Sequence, residues 1–147
     1  MAQSHIEHLD PGSLRPWAKN ARTHSKKQLR QIAKSIETFG FTNPVLIDQH
    51  GTILAGHGRV EAAKSLGMAA VPCLRIEHMT EAEKRAYVIA DNKLALNAGW
   101  DEELLAQELQ GLLATENLSF DLDVIGFEVA EIDSLVNALG ESLNTTV

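Results

Sequence analysis

Two glycines bracketing one histidine, followed at once by an arginine, are the four residues of this 147-residue chain best suited to chemistry: Gly56-His57-Gly58-Arg59. The apolar run Thr52-Ile53-Leu54-Ala55 precedes them, and Val60, Ala62, Ala63 and Leu66 follow on one helical face that Gly67 ends. The inferred order is strand, glycine loop, helix. Backbone N–H groups can converge there on a space that a Cβ would crowd, and a helix N-terminus adds roughly half a positive charge. Arg59, in the first turn, can hold a phosphate through two parallel hydrogen bonds. Spacing alone supports a tight turn with a solvated arginine equally well, because neither a P-loop nor a complete Gly-x-Gly-x-x-Gly is present. His57 is open to three roles: phosphate ligand, general base, or solvated loop residue.

The elements that must position this loop are legible on both sides of it. Leu14 to His24 has no clean periodicity, and Pro16 argues against a helix, so it reads as an extended strand or loop. Ser25 is an N-cap with Gln28 three residues on. Leu29, Ile32, Ile36 and Phe39 then recur at helical spacing until Gly40. Pro44 to Asp48 and Thr52 to Ala55, separated by Gln49-His50-Gly51, read as a hairpin. Val71 to Ile76 is a third strand, which Pro72 places at a sheet edge. Thr80 and Glu83 form a capping box for a helix running to about Asn97. Asp101 caps another through Leu104, Leu105, Leu109 and Leu112, and a last helix carries Val129, Ile132, Leu135 and Leu139.

Charge divides the chain more sharply than its net value of -7 suggests. All 13 Lys and Arg lie before Trp100 and give that part +4, whereas the remainder carries 11 Asp and Glu and -11. A basic body with an acidic tail suits a protein whose first part meets phosphates; an acidic face kept for solubility is the alternative. No apolar run approaches the roughly 20 residues that span a bilayer, which excludes a membrane-spanning helix. The first eight residues lack a secretory pattern and the lone Cys73 has no internal disulfide partner, so the expected compartment is the reducing cytoplasm. Cys73 itself reads as a buried, inert thiol. The other histidines have no zinc spacing.

Several blocks in order, Asn20-Ala21-Arg22, then Gly40-Phe41-Thr42-Asn43-Pro44-Val45-Leu46-Ile47, then Leu54-Ala55-Gly56-His57-Gly58-Arg59-Val60-Glu61-Ala62-Ala63 with Gly67 and Val71-Pro72, resemble the N-terminal domain of ParB partition proteins over about residues 5 to 98. The resemblance implies an α+β fold of the ParB/sulfiredoxin type: a small mixed sheet with packed helices, here followed by a C-terminal helical appendage. The implied organisation is a phosphate- or nucleotide-binding domain at 1–98, an acidic helical extension at 99–140 and a disordered tail at 141–147. It also implies a nucleoside triphosphate, CTP or ATP, with Mg2+. Arg22, Gly56, His57, Gly58 and Arg59 would bind the phosphates, and Asp91 and Asn92 would hold the metal. Gly56 and Arg59 match the ends of the family's Gly-Glu-Arg-Arg block, whereas His57 and Gly58 depart from it. Sulfiredoxins place a cysteine where His57 stands, which argues against peroxiredoxin repair.

Ala90 to Leu105 and Asp123 to Glu128 are similar to a narrower group of ParB-like domains from phages and mobile elements, often joined to a DNA-modification methyltransferase. No Asp-Pro-Pro-Tyr methyltransferase motif occurs in this sequence. The implied function is a nucleotide-binding regulatory or accessory module in DNA transactions. A phosphotransferase or nucleotide hydrolase using His57 or Asp91 as catalytic residues is the alternative, and a nuclease ranks below both, since no carboxylates cluster for two metals. The expected partners are nucleotide, DNA through Lys19, Arg22, Lys26, Lys27 and Arg30, a methyltransferase or other mobile-element protein, and a second copy as a homodimer. DNA reading by the C-terminal helices is not expected, because 11 carboxylates would oppose a phosphate backbone.

Overall fold

The computed structural model of the chain describes residues 5–20 and 22–145. Residues 1–4, Ala21 of the Asn20-Ala21-Arg22 block, and Thr146 and Val147 of the expected tail lie outside the described residues. The chain divides into two units, residues 1–97 and residues 98–147.

The first unit is built on a four-stranded mixed sheet of β1 (Ile6–Leu9), β2 (Val45–Ile47), β3 (Ile53–Ala55) and β4 (Val71–Arg75), in the order β1-β4-β2-β3. β2 and β3 form the expected antiparallel hairpin, β2 runs parallel to β4, and β1 closes antiparallel on the other side of β4. Three helices accompany the sheet: α1 (Lys26–Phe39), α2 (His57–Ser65) and α3 (Glu81–Asn97). The α+β class expected from the sequence is thus the class observed. Leu14, Val45, Ile47, Ile53, Val60, Ala63, Val71 and Cys73 form the buried core between sheet and helices.

Local signals fix the helix boundaries. Ser25 Oγ accepts from Gln28 N at 3.0 Å to start α1, and Gly40 stops it at φ 86°. Thr80 and Glu83 exchange reciprocal hydrogen bonds of 2.9 and 3.2 Å ahead of α3, as the capping box requires. Cys73 is fully buried, and burial raises its pKa, which keeps the thiol protonated and inert.

Two expectations need correction. Pro72 does not mark an edge: β4 lies between β1 and β2. Its missing N–H is tolerated because Pro72 pairs only with His8 of β1, the β2 ladder beginning one residue later at Val45 opposite Cys73. The strand beyond β4 at that edge, β1, was not expected, since four residues of mixed polarity carry too short a pattern to announce themselves.

The second unit contains α4 (Glu102–Leu113) and α5 (Val129–Thr145), which pack together, and Ala106, Leu109, Val124, Ile132 and Leu139 are buried in it. Asp101 caps α4 by accepting from Leu104 N at 3.2 Å. Helix α5 continues to Thr145, into the segment expected to be a disordered tail.

Lys84 anchors α3 to the sheet. Its side chain is fully buried, with Nζ 3.1 Å from Asp48 Oδ2 and 2.9 Å from Glu81 Oε1. The hydrogen bond that the ammonium donates to Glu81, with further help from Asp48 against the cost of burial, holds its pKa above the ordinary value. Burial alone would raise the Asp48 pKa, but the N–H groups of Thr52 and His50, together with Lys84, lower it on balance. Removing one partner of such a pair strands a buried charge. Lys84→Ala is therefore expected to lower the unfolding free energy of the residue 1–97 unit by about 3–5 kcal/mol, measurable as a shift in the urea midpoint; an unchanged midpoint would show that water replaces the ammonium without penalty.

Candidate functional site

β3 ends at Ala55, and the chain turns into α2 through Gly56 at φ 106°, ψ 21°. That left-handed conformation is one reason for glycine. The second is Arg59: a Cβ built on Gly56 would sit 2.9 Å from one terminal guanidinium nitrogen and 3.2 Å from its carbon. The guanidinium thus rests against bare backbone. Val60 N donates to Gly56 O at 2.9 Å, which begins the helix, and no side chain caps it. The first N–H groups of α2 consequently lack intrahelical acceptors.

Arg59 is held from the opposite side by Pro44 O, which accepts from a terminal guanidinium nitrogen at 3.1 Å. The Asn43-Pro44 turn thereby acquires a role in the site. Arg59 Nε is buried and has no hydrogen-bond partner among the described residues. Burial lowers the pKa of this guanidinium, an effect that the Asp91 charge partly opposes. Desolvation without full pairing makes Arg59 a cation that an incoming anion would stabilise.

The cleft beside it has a volume of about 160 Å³ and gathers residues from four places: Asn20, Arg22 and His24 ahead of α1, Ile32 within it, Leu54 to Arg59 at the strand-to-helix turn, and Asp91, Asn92 and Ala95 on α3. Pockets for drug-sized molecules begin near roughly 300 Å³. This one is smaller than that. Arg22, Gly56, His57, Gly58, Arg59, Asp91 and Asn92, singled out from the sequence, all line it. Lys19 does not, lining instead a separate groove of about 570 Å³ with Arg15, Trp17 and Arg85. Lys26, Lys27 and Arg30 lie exposed on the first half of α1.

Asn92 Nδ2 donates to Val88 O at 2.9 Å, which leaves its side-chain oxygen for a ligand, and Asp91 is exposed beside it. One carboxylate and one amide oxygen do not make a metal cage, and among the described residues no three His, Cys, Asp or Glu side chains group for one. They do suit Mg2+ completed by phosphate oxygens and water.

Two residues were missed. His24 lies against Gly58, where a Cβ would come within 3.0 Å of His24 Cε1, and its Nδ1 is 3.0 Å from Gln28 Oε1. Asn20 Oδ1 accepts from Arg22 N at 3.2 Å and shapes the same wall. The family block had flagged Asn20 as a neighbour, but nothing in the spacing of His24 distinguishes it from other loop histidines.

His57 has a defined tautomer. Trp17 N donates to His57 Nε2 at 3.0 Å, so the neutral ring carries its proton on Nδ1. Burial chiefly, and the His24 charge next, lower its pKa below the ordinary 6.5, against an opposing pull from Glu61. A general-base role at Nε2 would require breaking the bond to Trp17.

Residues 1–93 match the family model of the ParB N-terminal domain, and residues 103–145 match that of the ParB-methyltransferase HTH domain. The ParB-like nuclease domain-containing protein YnaK of Escherichia coli (strain K12) is 53% identical over 72 residues, which cover 49% of this chain and 83% of YnaK. A 44-residue stretch is 43% identical to the uncharacterized protein ORF326b of Acidianus two-tailed virus, covering 30% of this chain and 14% of that one. Among solved structures, the C-terminally truncated chromosome-partitioning protein ParB from Caulobacter crescentus, complexed with CTP-γ-S, aligns with a TM-score of 0.74 at 20% identity over 92% of this chain and 79% of that one. A Pnob8-like ParB-N domain aligns at 0.52 and 15% identity, over 95% and 62%. At these identities the structural likeness speaks to the fold.

The Trp17–His57 bond has a pH signature. A folded-state pKa below the unfolded one favours the neutral ring, so the associated stability is complete above the ordinary value of 6.5 and is lost as pH falls through the folded value. The thermal stability of the native protein should therefore fall on acidification from pH 7 in a way that His57→Gln, which keeps an acceptor but cannot titrate, does not share. Identical pH profiles for the two proteins would show that this histidine is not the responsible group.

Proposed function

The chain belongs to the ParB N-terminal domain family, and from that membership and the geometry of the cleft we propose that it binds the phosphates of a nucleoside triphosphate as an accessory module in DNA transactions. One observation carries the reading: a desolvated, incompletely paired guanidinium lies at the N-terminus of α2, on a glycine that no other residue can replace without displacing it. An anion seated there would meet Arg59 and the unpaired N–H groups of the helix start together. Arg22 lines the same cleft. Bound Mg2+ would offset phosphate charge, with Asp91 and the Asn92 side-chain oxygen as its protein ligands.

The Caulobacter relative bound to CTP-γ-S supports CTP as the first nucleotide to test. ATP stands beside it, because His57 and Gly58 replace two positions of the family's loop. Binding is favoured over turnover, since the His57 nitrogen that would accept a proton is already engaged by Trp17. For DNA, the exposed Lys26 and Arg30 are the natural contacts. A lysine pair in the first turn of α1, at Lys26 and Lys27, opposes the helix dipole, which makes an anionic partner favourable there.

Calorimetric titration with CTP and ATP in Mg2+ should show binding that Arg59→Ala weakens by about tenfold or more, the worth of a charge-assisted hydrogen bond. Gly56→Ala should do the same while leaving the far-UV spectrum intact. If neither nucleotide binds at about millimolar concentration, the reading fails. Where duplex DNA binds, Lys26→Ala should reduce the slope of log affinity against log salt by about one; an unaltered slope would remove that lysine from the interface.

A further inference from the structure

Residues 103–145 of the 98–147 unit match a helix-turn-helix family, but the unit carries none of the cations by which such units hold a phosphate backbone. It has 11 Asp and Glu and no Lys, Arg or His. Phosphate contacts come chiefly from cations, and a unit charged to -11 would repel a duplex instead of releasing its counterions. What the unit does present is an open groove of about 500 Å³, wholly its own, between α4 and the start of α5. Trp100, Leu105, Phe127 and Leu135 supply the apolar wall, with Glu102 and Glu131 lining it. Trp100 is 68% exposed, and its ring meets that of Phe127 at a centroid distance of 5.6 Å with a 54° tilt.

We propose that this groove docks a protein segment of amphipathic, basic character, in which apolar side chains enter between Leu105, Phe127 and Leu135 while Lys or Arg side chains lie over Trp100 and against Glu102. Charge complementarity selects the occupant. An indole face attracts a cation, the flanking carboxylates have no basic residue in their own unit to neutralise them, and the groove is the kind of surface into which an amphipathic helix lays its apolar face. Glu131 also caps α5, accepting from Glu128 N at 2.9 Å, which fixes the carboxylate at the rim. The acidic unit thus serves as a protein-recruiting arm.

The test uses the full chain with Trp17→Phe as background, so that Trp100 is the sole indole reporter. Three probes are titrated: a synthetic helical Lys/Leu peptide, its Glu/Leu counterpart, and a short DNA duplex. The Lys/Leu peptide should shift Trp100 fluorescence with saturable binding, and the double variant Glu102→Lys with Ser134→Lys should weaken it by about tenfold or more and flatten its salt dependence. Circular dichroism of that variant, whose substitutions are at exposed positions, verifies the fold. Equal binding of the Glu/Leu peptide would reduce the groove to nonspecific apolar adhesion and overturn the proposal. So would duplex binding that perturbs Trp100, or failure of any peptide to bind. Sedimentation showing a dimer that Trp100→Ala dissolves would assign the groove to a second copy and overturn it likewise.

Discussion

A guanidinium pressed against a residue that has no side chain is the constraint on which the cleft depends. Gly56 must adopt a left-handed conformation to turn β3 into α2, and it must also leave room for Arg59, whose terminal nitrogen would lie 2.9 Å from any Cβ. The two demands fall on one residue, so the loop cannot trade one against the other. Pro44 then receives the guanidinium from the far side, which couples the entry to β2 with the exit from β3. Burial deprives Arg59 of water while only partly supplying partners, and a charge in that condition is stabilised by an arriving anion more than an exposed arginine would be.

The opposite wall is positioned by an interaction of a different kind. Lys84 sits about two turns before Asp91 and Asn92 on α3, and its buried ammonium grips Asp48 at the β2–β3 turn. Asp48 in turn accepts from His50 N at 2.8 Å and Thr52 N at 3.0 Å, which shapes the hairpin. A single carboxylate therefore serves both the turn and the helix. Through it, the spacing between the metal-competent residues and the glycine loop is set from a point well away from the cleft.

Most helices were legible because their signals are local: Ser25, Thr80 with Glu83, and Asp101 each announce a start that the structure realises. The hairpin and the strand-to-helix turn were legible for the same reason. What escaped was nonlocal. β1 is a strand only because β4 lies beside it, Pro72 is interior only because β1 does, and His24 belongs to the cleft only because α1 brings it against Gly58. Lys84 is the clearest case. Read along the helix, a lysine between Glu83 and Arg85 belongs to a solvated face, and only the approach of Asp48 from another element reverses that. The loop was readable from its own glycine spacing, and the ParB resemblance added the Asp91-Asn92 pair; both line the cleft.

The placement of β1 also bears on how the protein comes into being. Ile6 pairs with Leu74 and Leu9 with Val71, so β1, the first strand of this sheet in chain order, has no neighbour until more than sixty further residues have been added. At about 5–20 residues per second, that is a delay of several seconds during which β2, β3 and α2 can assemble from contacts close in sequence. The sheet's first strand in chain order is therefore among its last to be paired, and its brevity and alternating exposure leave little for other nascent chains to adhere to while it waits.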